Sequence, residues 1–68
     1  MTLHASIQAL VDEIDAFRSR EGMSPSAFGR AAINDPNFYG DLKAGRMPSL
    51  RLIDRVREFM QSQQASAA

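Results

Sequence analysis

The chain contains no cysteine, and it has a single histidine. Without cysteine there is no disulfide framework, and one histidine cannot complete a zinc site, which takes four ligands. No apolar run approaches the roughly 18 residues of a membrane span, and no charged and apolar leader resembles a signal peptide. We therefore expect a cytoplasmic protein with no membrane segment, no metal and no cofactor.

The chain has 68 residues, which is enough for one small domain. A domain of this size buries only about 60% of the surface that its unfolded chain exposes, so the core is modest and leaves little room for a deep pocket. The sequence also lacks a cysteine nucleophile, a histidine pair and a glycine-rich phosphate loop. These absences predict that the protein is not an enzyme.

The formal net charge is zero, but the charge is unevenly distributed along the chain. Residues 1–17 contain three acidic residues and no basic one. Residues 18–68 contain all eight basic residues against five acidic ones, a net charge of +3. This asymmetry favours an anionic partner for the later part of the chain.

Apolar residues at helical spacing predict an all-α fold with four helices, over 3–21, 25–32, 36–44 and 50–62. Residues 61–68 have no apolar period and are predicted to form a flexible tail. The apolar residues expected to face the core are Leu3, Ile7, Leu10, Val11, Ile14, Phe17, Phe28, Ala31, Ala32, Phe38, Tyr39, Leu42, Leu50, Ile53, Val56, Phe59 and Met60.

Start and stop residues separate these helices. Ser24-Pro25, Asp35-Pro36 and Pro48-Ser49 are typical of helix starts, because a capping side chain accepts from a free backbone N–H and proline has none to leave unpaired. Gly22, Asn34 and Gly45 tolerate the left-handed conformation that ends a helix. These residues predict a long first helix followed by two short helices with a tight turn between them, which is the arrangement of a helix-turn-helix unit.

The run from Ser24 to Leu50 resembles the Cro/phage-repressor (XRE-like) helix-turn-helix family, and the resemblance extends over residues 6–60. Gly29 and Ala32 match two small residues of the first motif helix, and Asn34 makes the bend in place of a turn glycine. The family's glycine, basic residue and Pro-Ser-Leu after the third helix are matched by Gly45, Arg46, Pro48, Ser49 and Leu50. The resemblance implies a compact four-helix domain of the lambda-repressor-like helix-turn-helix type over residues 1–60.

The resemblance further implies a sequence-specific double-stranded DNA-binding transcriptional regulator of bacterial or phage type, with helix 36–44 in the major groove. If Phe38, Tyr39 and Leu42 face the core, the opposite face is free to read bases. The base-reading candidates are Asn37, Pro36, Gly40, Asp41 and Phe38, the last only if its ring is exposed enough to touch a thymine methyl. The phosphate-binding candidates are Ser24, Ser26, Arg30, Lys43, Arg46 and Arg51.

Two further expectations concern partners. A few basic contacts per chain bind weakly, so a homodimer is the expected working form, with the acidic flank of the first helix or Phe59 and Met60 as its interface. The alternative function is a small protein-interaction adaptor that docks on RNA polymerase or another regulator. Zero net charge and the small, nearly apolar outer face at Pro36, Gly40 and Ala44 favour that alternative.

Overall fold

The computed structural model describes the backbone of residues 5–66 and the side chains of residues 5–63. These residues form four helices with no strand: α1 (Ala5–Glu21), α2 (Pro25–Ile33), α3 (Phe38–Lys43) and α4 (Leu50–Ser66). The all-α, four-helix prediction is thus confirmed, while the predicted helical residues 3 and 4 lie outside the described part of the chain. None of the four helices is both long and apolar enough to cross a bilayer.

The core is built mainly on α1, against which the other three helices contribute one or two residues each. Its buried members are Ile7, Leu10, Val11, Ile14, Phe17, Phe28, Phe38, Leu42, Val56 and Met60. All ten were expected from helical spacing, because residues three and four apart share one face of a helix. Two expected core residues are instead exposed, Ala31 and Leu50, so those predictions are wrong.

Three phenylalanine rings join α1, α2 and α4 at the centre of the domain. The ring centroids of Phe17, Phe28 and Phe59 lie 5.6–5.8 Å apart in each pair, and all three pairs are edge-to-face. Such pairs add about 0.5–1.5 kcal/mol each beyond the area that they bury. The triangle therefore fixes α2, and with it the start of the α2–α3 connection, against the long helices.

The helix ends follow the local chemistry of the sequence. Gly22 has φ +69°, and the N–H of Met23 donates to the carbonyl of Arg18 at 3.0 Å, which closes α1. The hydroxyl oxygen of Ser24 accepts from the N–H of Ala27 at 3.1 Å and caps α2. Asn34 ends α2 in the left-handed region with φ +59°, as predicted.

The start of α3 differs from the prediction. The helix begins at Phe38 rather than at 36. Asp35 does not cap it directly; its carboxylate accepts from the N–H of Asn37 at 2.9 Å, and its carbonyl accepts from the N–H of Phe38 at 3.2 Å. Asp35 and Pro36 therefore form a turn before the helix, because an aspartate that bonds its own backbone two residues on competes with helix formation.

The end of α4 also differs. The helix continues to Ser66, four residues beyond its predicted end at 62. Helix therefore continues to Ser66 within the segment 61–68 that was predicted as a flexible tail, and residues 67 and 68 lie outside the described range. The glutamines of this segment have a high intrinsic helix propensity, so the last turns of α4 form without an apolar partner. At the other end of α4, Ser49 accepts from the N–H of Leu52 at 3.2 Å, which confirms the predicted start.

Candidate nucleic-acid interface

Helix α3 is fixed to the domain along one side and open along the other. Phe38 and Leu42 are buried in the core. Tyr39 is half-buried, and its hydroxyl donates to the carboxylate of Asp15 on α1 at 2.8 Å. These contacts determine which residues of the short helix face outwards, because a helix of six residues has no stable orientation of its own.

Asp15 belongs to a polar network that joins α1, α3 and the α1–α2 turn. Arg18 donates to the same Asp15 oxygen at 3.0 Å and to the carbonyl of Met23 at 3.1 Å. Its guanidinium also lies 4.9 Å from the centre of the Tyr39 ring. The spacing of Asp15 and Arg18 along α1 is a recognisable helical ion pair, but nothing in the sequence links it to Tyr39, 24 residues away from Asp15.

The network makes stability depend on pH through Asp15. Partial burial opposes ionisation of Asp15, but hydrogen bonds from Tyr39 and Arg18 outweigh it and hold the pKa of the carboxyl below its ordinary value of 3.8. A carboxyl whose pKa is lower in the folded state contributes stability above its unfolded pKa of about 3.9, and this is lost as the pH falls through the folded value. We therefore expect Asp15→Asn to destabilise the protein at neutral pH and to flatten its acid unfolding below about pH 4.

Urea unfolding at neutral pH and below pH 4 measures this dependence, and Asp54→Asn on the exposed side of α4 is the matched control. If Asp15→Asn and Asp54→Asn lost stability in parallel at every pH, the network would have no part in the acid transition.

The outward side of α3 carries a narrow exposed stripe, formed by Asn37, Gly40, Asp41 and Ala44. These residues are three or four apart and so share one face. Asn37, Gly40 and Ala44 are exposed, and the Asp41 side chain is 40% exposed. A Cβ added at Gly40 would meet no atom within 4 Å, and the Asn37 side chain makes no capping hydrogen bond. The stripe is thus small in profile, with Asn37 and Asp41 as its hydrogen-bonding side chains.

Two of the predicted base-reading residues lie off this stripe. Pro36 is exposed in the turn before α3 and adjoins Asn37. Phe38 is only 4% exposed and packs in the core, so its assignment as a base-reading residue is corrected. The physical reason is that Phe38 lies about 100° around the helix from Asn37, which turns it towards α1.

Two basic residues flank the stripe on opposite sides. Lys43 is exposed one turn after Tyr39, on the side of α3 that faces α1, and its positive charge helps to hold the pKa of Asp15 low. Arg46 lies on the other side, where its guanidinium pairs with Asp41 at 3.5 Å and its side chain remains 77% exposed. The stripe therefore has a positive charge along each edge.

The other predicted phosphate-binding residues are all exposed. Ser24 and Ser26 lie at the start of α2, Arg30 lies in its last turn, and Arg51 lies in the first turn of α4. The Ser24 oxygen accepts the capping bond from Ala27, which leaves its hydroxyl proton able to donate. All four residues can thus reach a ligand from outside the domain.

Two large apolar residues between the end of α3 and the first residue of α4 are exposed, which was not anticipated from the sequence. Met47 and Leu50 are 65% and 80% exposed, the large hydrophobic residues of the described chain that are most open to solvent. Met47 lines a shallow groove of about 250 Å³, whose apolar lining also includes Phe38, Leu42, Pro48 and Leu52. Of the two interfaces considered from the sequence, the one at Phe59 and Met60 has little free apolar surface, because Met60 is buried and Phe59 is partly buried against the core.

Within the described residues, no three acidic or histidine side chains are grouped to hold a metal ion. Comparisons with family models, with curated proteins and with solved structures found no match to this chain. The functional assignment therefore depends on the geometry and charge of the surface around α3.

Proposed function

We propose that the chain is a sequence-specific double-stranded DNA-binding transcriptional regulator of bacterial or phage type. In this proposal the domain is of the lambda-repressor-like helix-turn-helix type, with α2 and α3 as the motif and α3 in the major groove. The observation that carries the proposal is the exposed stripe on α3, which has a basic residue along each edge. Such a protein acts in the cytoplasm, where a bacterial chromosome lies.

The stripe has the size and chemistry that a major groove accepts. Gly40 has no side chain and Ala44 has only a methyl group, so the helix backbone can approach the base edges closely. The Asn37 amide both donates and accepts, which matches the N6 and N7 groups of adenine. Lys43 and Arg46 are placed to contact phosphates on the two sides of the groove.

Further phosphate contacts extend the proposed interface beyond α3. Arg30 and Arg51 add two positive charges, and Ser24 and Ser26 add hydroxyl donors at the start of α2. Four basic contacts per chain give weak, strongly salt-dependent binding. We therefore include a homodimer on two half-sites in the proposal, because two copies double the number of contacts.

The proposal predicts that Lys43→Ala with Arg46→Ala weakens duplex binding. Loss of two phosphate contacts lowers the slope of log K against log salt concentration by about 1.8 units and reduces affinity on the order of 50-fold near 0.1 M salt. Fluorescence-anisotropy titration with a duplex selected from genomic fragments measures both quantities.

The matched control is Arg20→Ala, which also removes one exposed arginine but lies in the groove between α1 and α4. It should leave affinity and slope close to those of the wild type. Failure to select any duplex, together with equal low-salt affinity of the double variant and the wild type, would end the proposal.

A second candidate function is the small protein-interaction adaptor that docks on RNA polymerase or another regulator. The observations that favour it are the exposure of Met47 and Leu50 and the groove next to α3 that Met47 lines, because large exposed apolar side chains mark contact surfaces. The two candidate functions are distinguished by comparing retention of a protein partner with binding to a DNA duplex. An adaptor retains a stoichiometric protein partner and binds no duplex even at low salt.

A further inference from the structure

An ion pair between Arg46 and Asp41 lies at the end of α3. We propose that Asp41 selects a cytosine in the major groove while Arg46 neutralises its charge. This inference rests on the proposed function, since it names a base that the α3 stripe reads. It concerns a residue whose negative charge would otherwise oppose binding to a polyanion.

The local geometry leaves one oxygen of Asp41 available. Arg46 Nη1 contacts Oδ2 of Asp41 at 3.5 Å. Among the described residues Oδ1 has no hydrogen-bond partner, and the side chain is 40% exposed on the same stripe as Asn37. One oxygen of the partly exposed carboxylate is therefore available as an acceptor, while Arg46 balances the charge at the other oxygen.

The backbone holds Arg46 in this position before any ligand arrives. Gly45 has φ +98°, and the N–H of Arg46 donates to the carbonyl of Asp41 at 3.0 Å, which folds the chain back over the last turn of α3. An exposed ion pair of this kind contributes about 0–1 kcal/mol, so it does not lock the guanidinium. Arginine has five N–H donors and can bind Asp41 and a phosphate together.

The chemistry of the base edges selects cytosine. A carboxylate only accepts, and the donors in the major groove are the amino groups of cytosine and adenine. Adenine places its N7 acceptor beside that amino group, where it repels a carboxylate, and guanine and thymine present no donor there.

The spacing along α3 adds a positional constraint. Asp41 lies one turn beyond Asn37, about 6 Å along the helix axis. That distance corresponds to roughly two base-pair steps of 3.4 Å. The preferred cytosine is therefore expected about two base pairs from the position read by Asn37.

Selection from a library of random duplexes tests the inference with the full-length chain. The wild type should enrich a cytosine about two base pairs from a position whose preference Asn37→Ala abolishes. Asp41→Ala should lose the cytosine preference by about tenfold while its affinity for other duplexes stays equal or rises. Asp41→Asn should move the preference away from cytosine, since an amide also donates.

The matched control is Asp54→Ala, which removes one carboxylate from the exposed side of α4 and should keep the cytosine preference. A wild-type motif that all Asp41 variants reproduce would overturn the inference and leave the proposed function standing. A wild type that enriches no motif and shows no salt-dependent binding would overturn both. Thermal melting of each variant separates these results from loss of folding.

Discussion

Replacing Phe28 with alanine is expected to leave most of the chain unfolded at room temperature. The Phe28 ring is fully buried and makes edge-to-face contacts with Phe17 and Phe59 at 5.7 and 5.8 Å. Truncating a buried phenylalanine costs about 3–5 kcal/mol, and a core of this size supplies about 3–5 kcal/mol of net stability in total. Far-UV circular dichroism during urea and thermal unfolding measures the loss.

Leu50→Ala is the control for this prediction. Leu50 is also a large apolar residue, but it is 80% exposed, so its truncation should change stability by no more than about 0.5 kcal/mol. If the free energy of unfolding of Phe28→Ala lay within about 1 kcal/mol of the wild-type value, the phenylalanine triangle would not be what holds α2. That result would also remove the support that the triangle gives to the α2–α3 connection.

Helix positions and ends could be predicted from the sequence because their causes are local. The caps at Ser24 and Ser49 each depend on a hydroxyl and a backbone N–H three residues later. The bends at Gly22 and Asn34 depend on residues that tolerate positive φ. Periodicity then identified all ten buried apolar side chains, since each helix has a single face that can reach the core.

The predictions of the fold were wrong where one sequence pattern is compatible with two structures. Asp35-Pro36 suits both a helix cap and a turn, and the chain adopts the turn because Asp35 bonds the N–H of Asn37. Leu50 fits the apolar period of α4, but it lies in the first turn of the helix, where it remains 80% exposed. Periodicity gives the direction of a side chain and not whether another helix lies there to cover it.

The candidate site was only partly predictable for the same reason. Its outward stripe follows from the burial of Phe38 and Leu42 on the opposite side of α3. The bond from Tyr39 to Asp15 is a contact between distant segments, and no local pattern specifies it. The pair of Asp41 and Arg46 depends on the left-handed turn at Gly45, which brings together residues at a spacing that a regular helix would hold apart.

Gly29→Ala is expected to destabilise the protein by about 1–3 kcal/mol and to displace α3. A Cβ at this buried position would collide with the carbonyl oxygen of Asp35 and would lie 3.4 Å from the Cβ of Phe38. The collision is with backbone, and the N–H of Asp35 also donates to the Gly29 carbonyl at 3.1 Å. Relief therefore requires opening the α2–α3 junction, which outweighs the gain of about 1 kcal/mol in helix propensity.

Gly40→Ala is the matched substitution with the opposite expected effect on folding. A Cβ at Gly40 meets no atom within 4 Å, so the substitution should stabilise the protein by about 0.5–1 kcal/mol and raise the midpoint of thermal unfolding by several degrees. The added methyl group lies on the outward stripe of α3, where it holds the backbone away from base edges. Under the proposed function the Gly40 variant therefore loses duplex affinity although it is more stable.

The two glycine variants together separate the effect of a substitution on the stability of the motif from its effect on duplex binding. The midpoint of thermal unfolding should fall by about 5–20 °C for Gly29→Ala and rise for Gly40→Ala. Anisotropy titration should show weaker duplex binding for both variants. A Gly29→Ala protein as stable as the wild type would show that α2 and α3 need no close backbone approach. A Gly40→Ala protein with unchanged duplex affinity would show that the stripe does not face the DNA, because a methyl group cannot be added to a closely packed contact without effect.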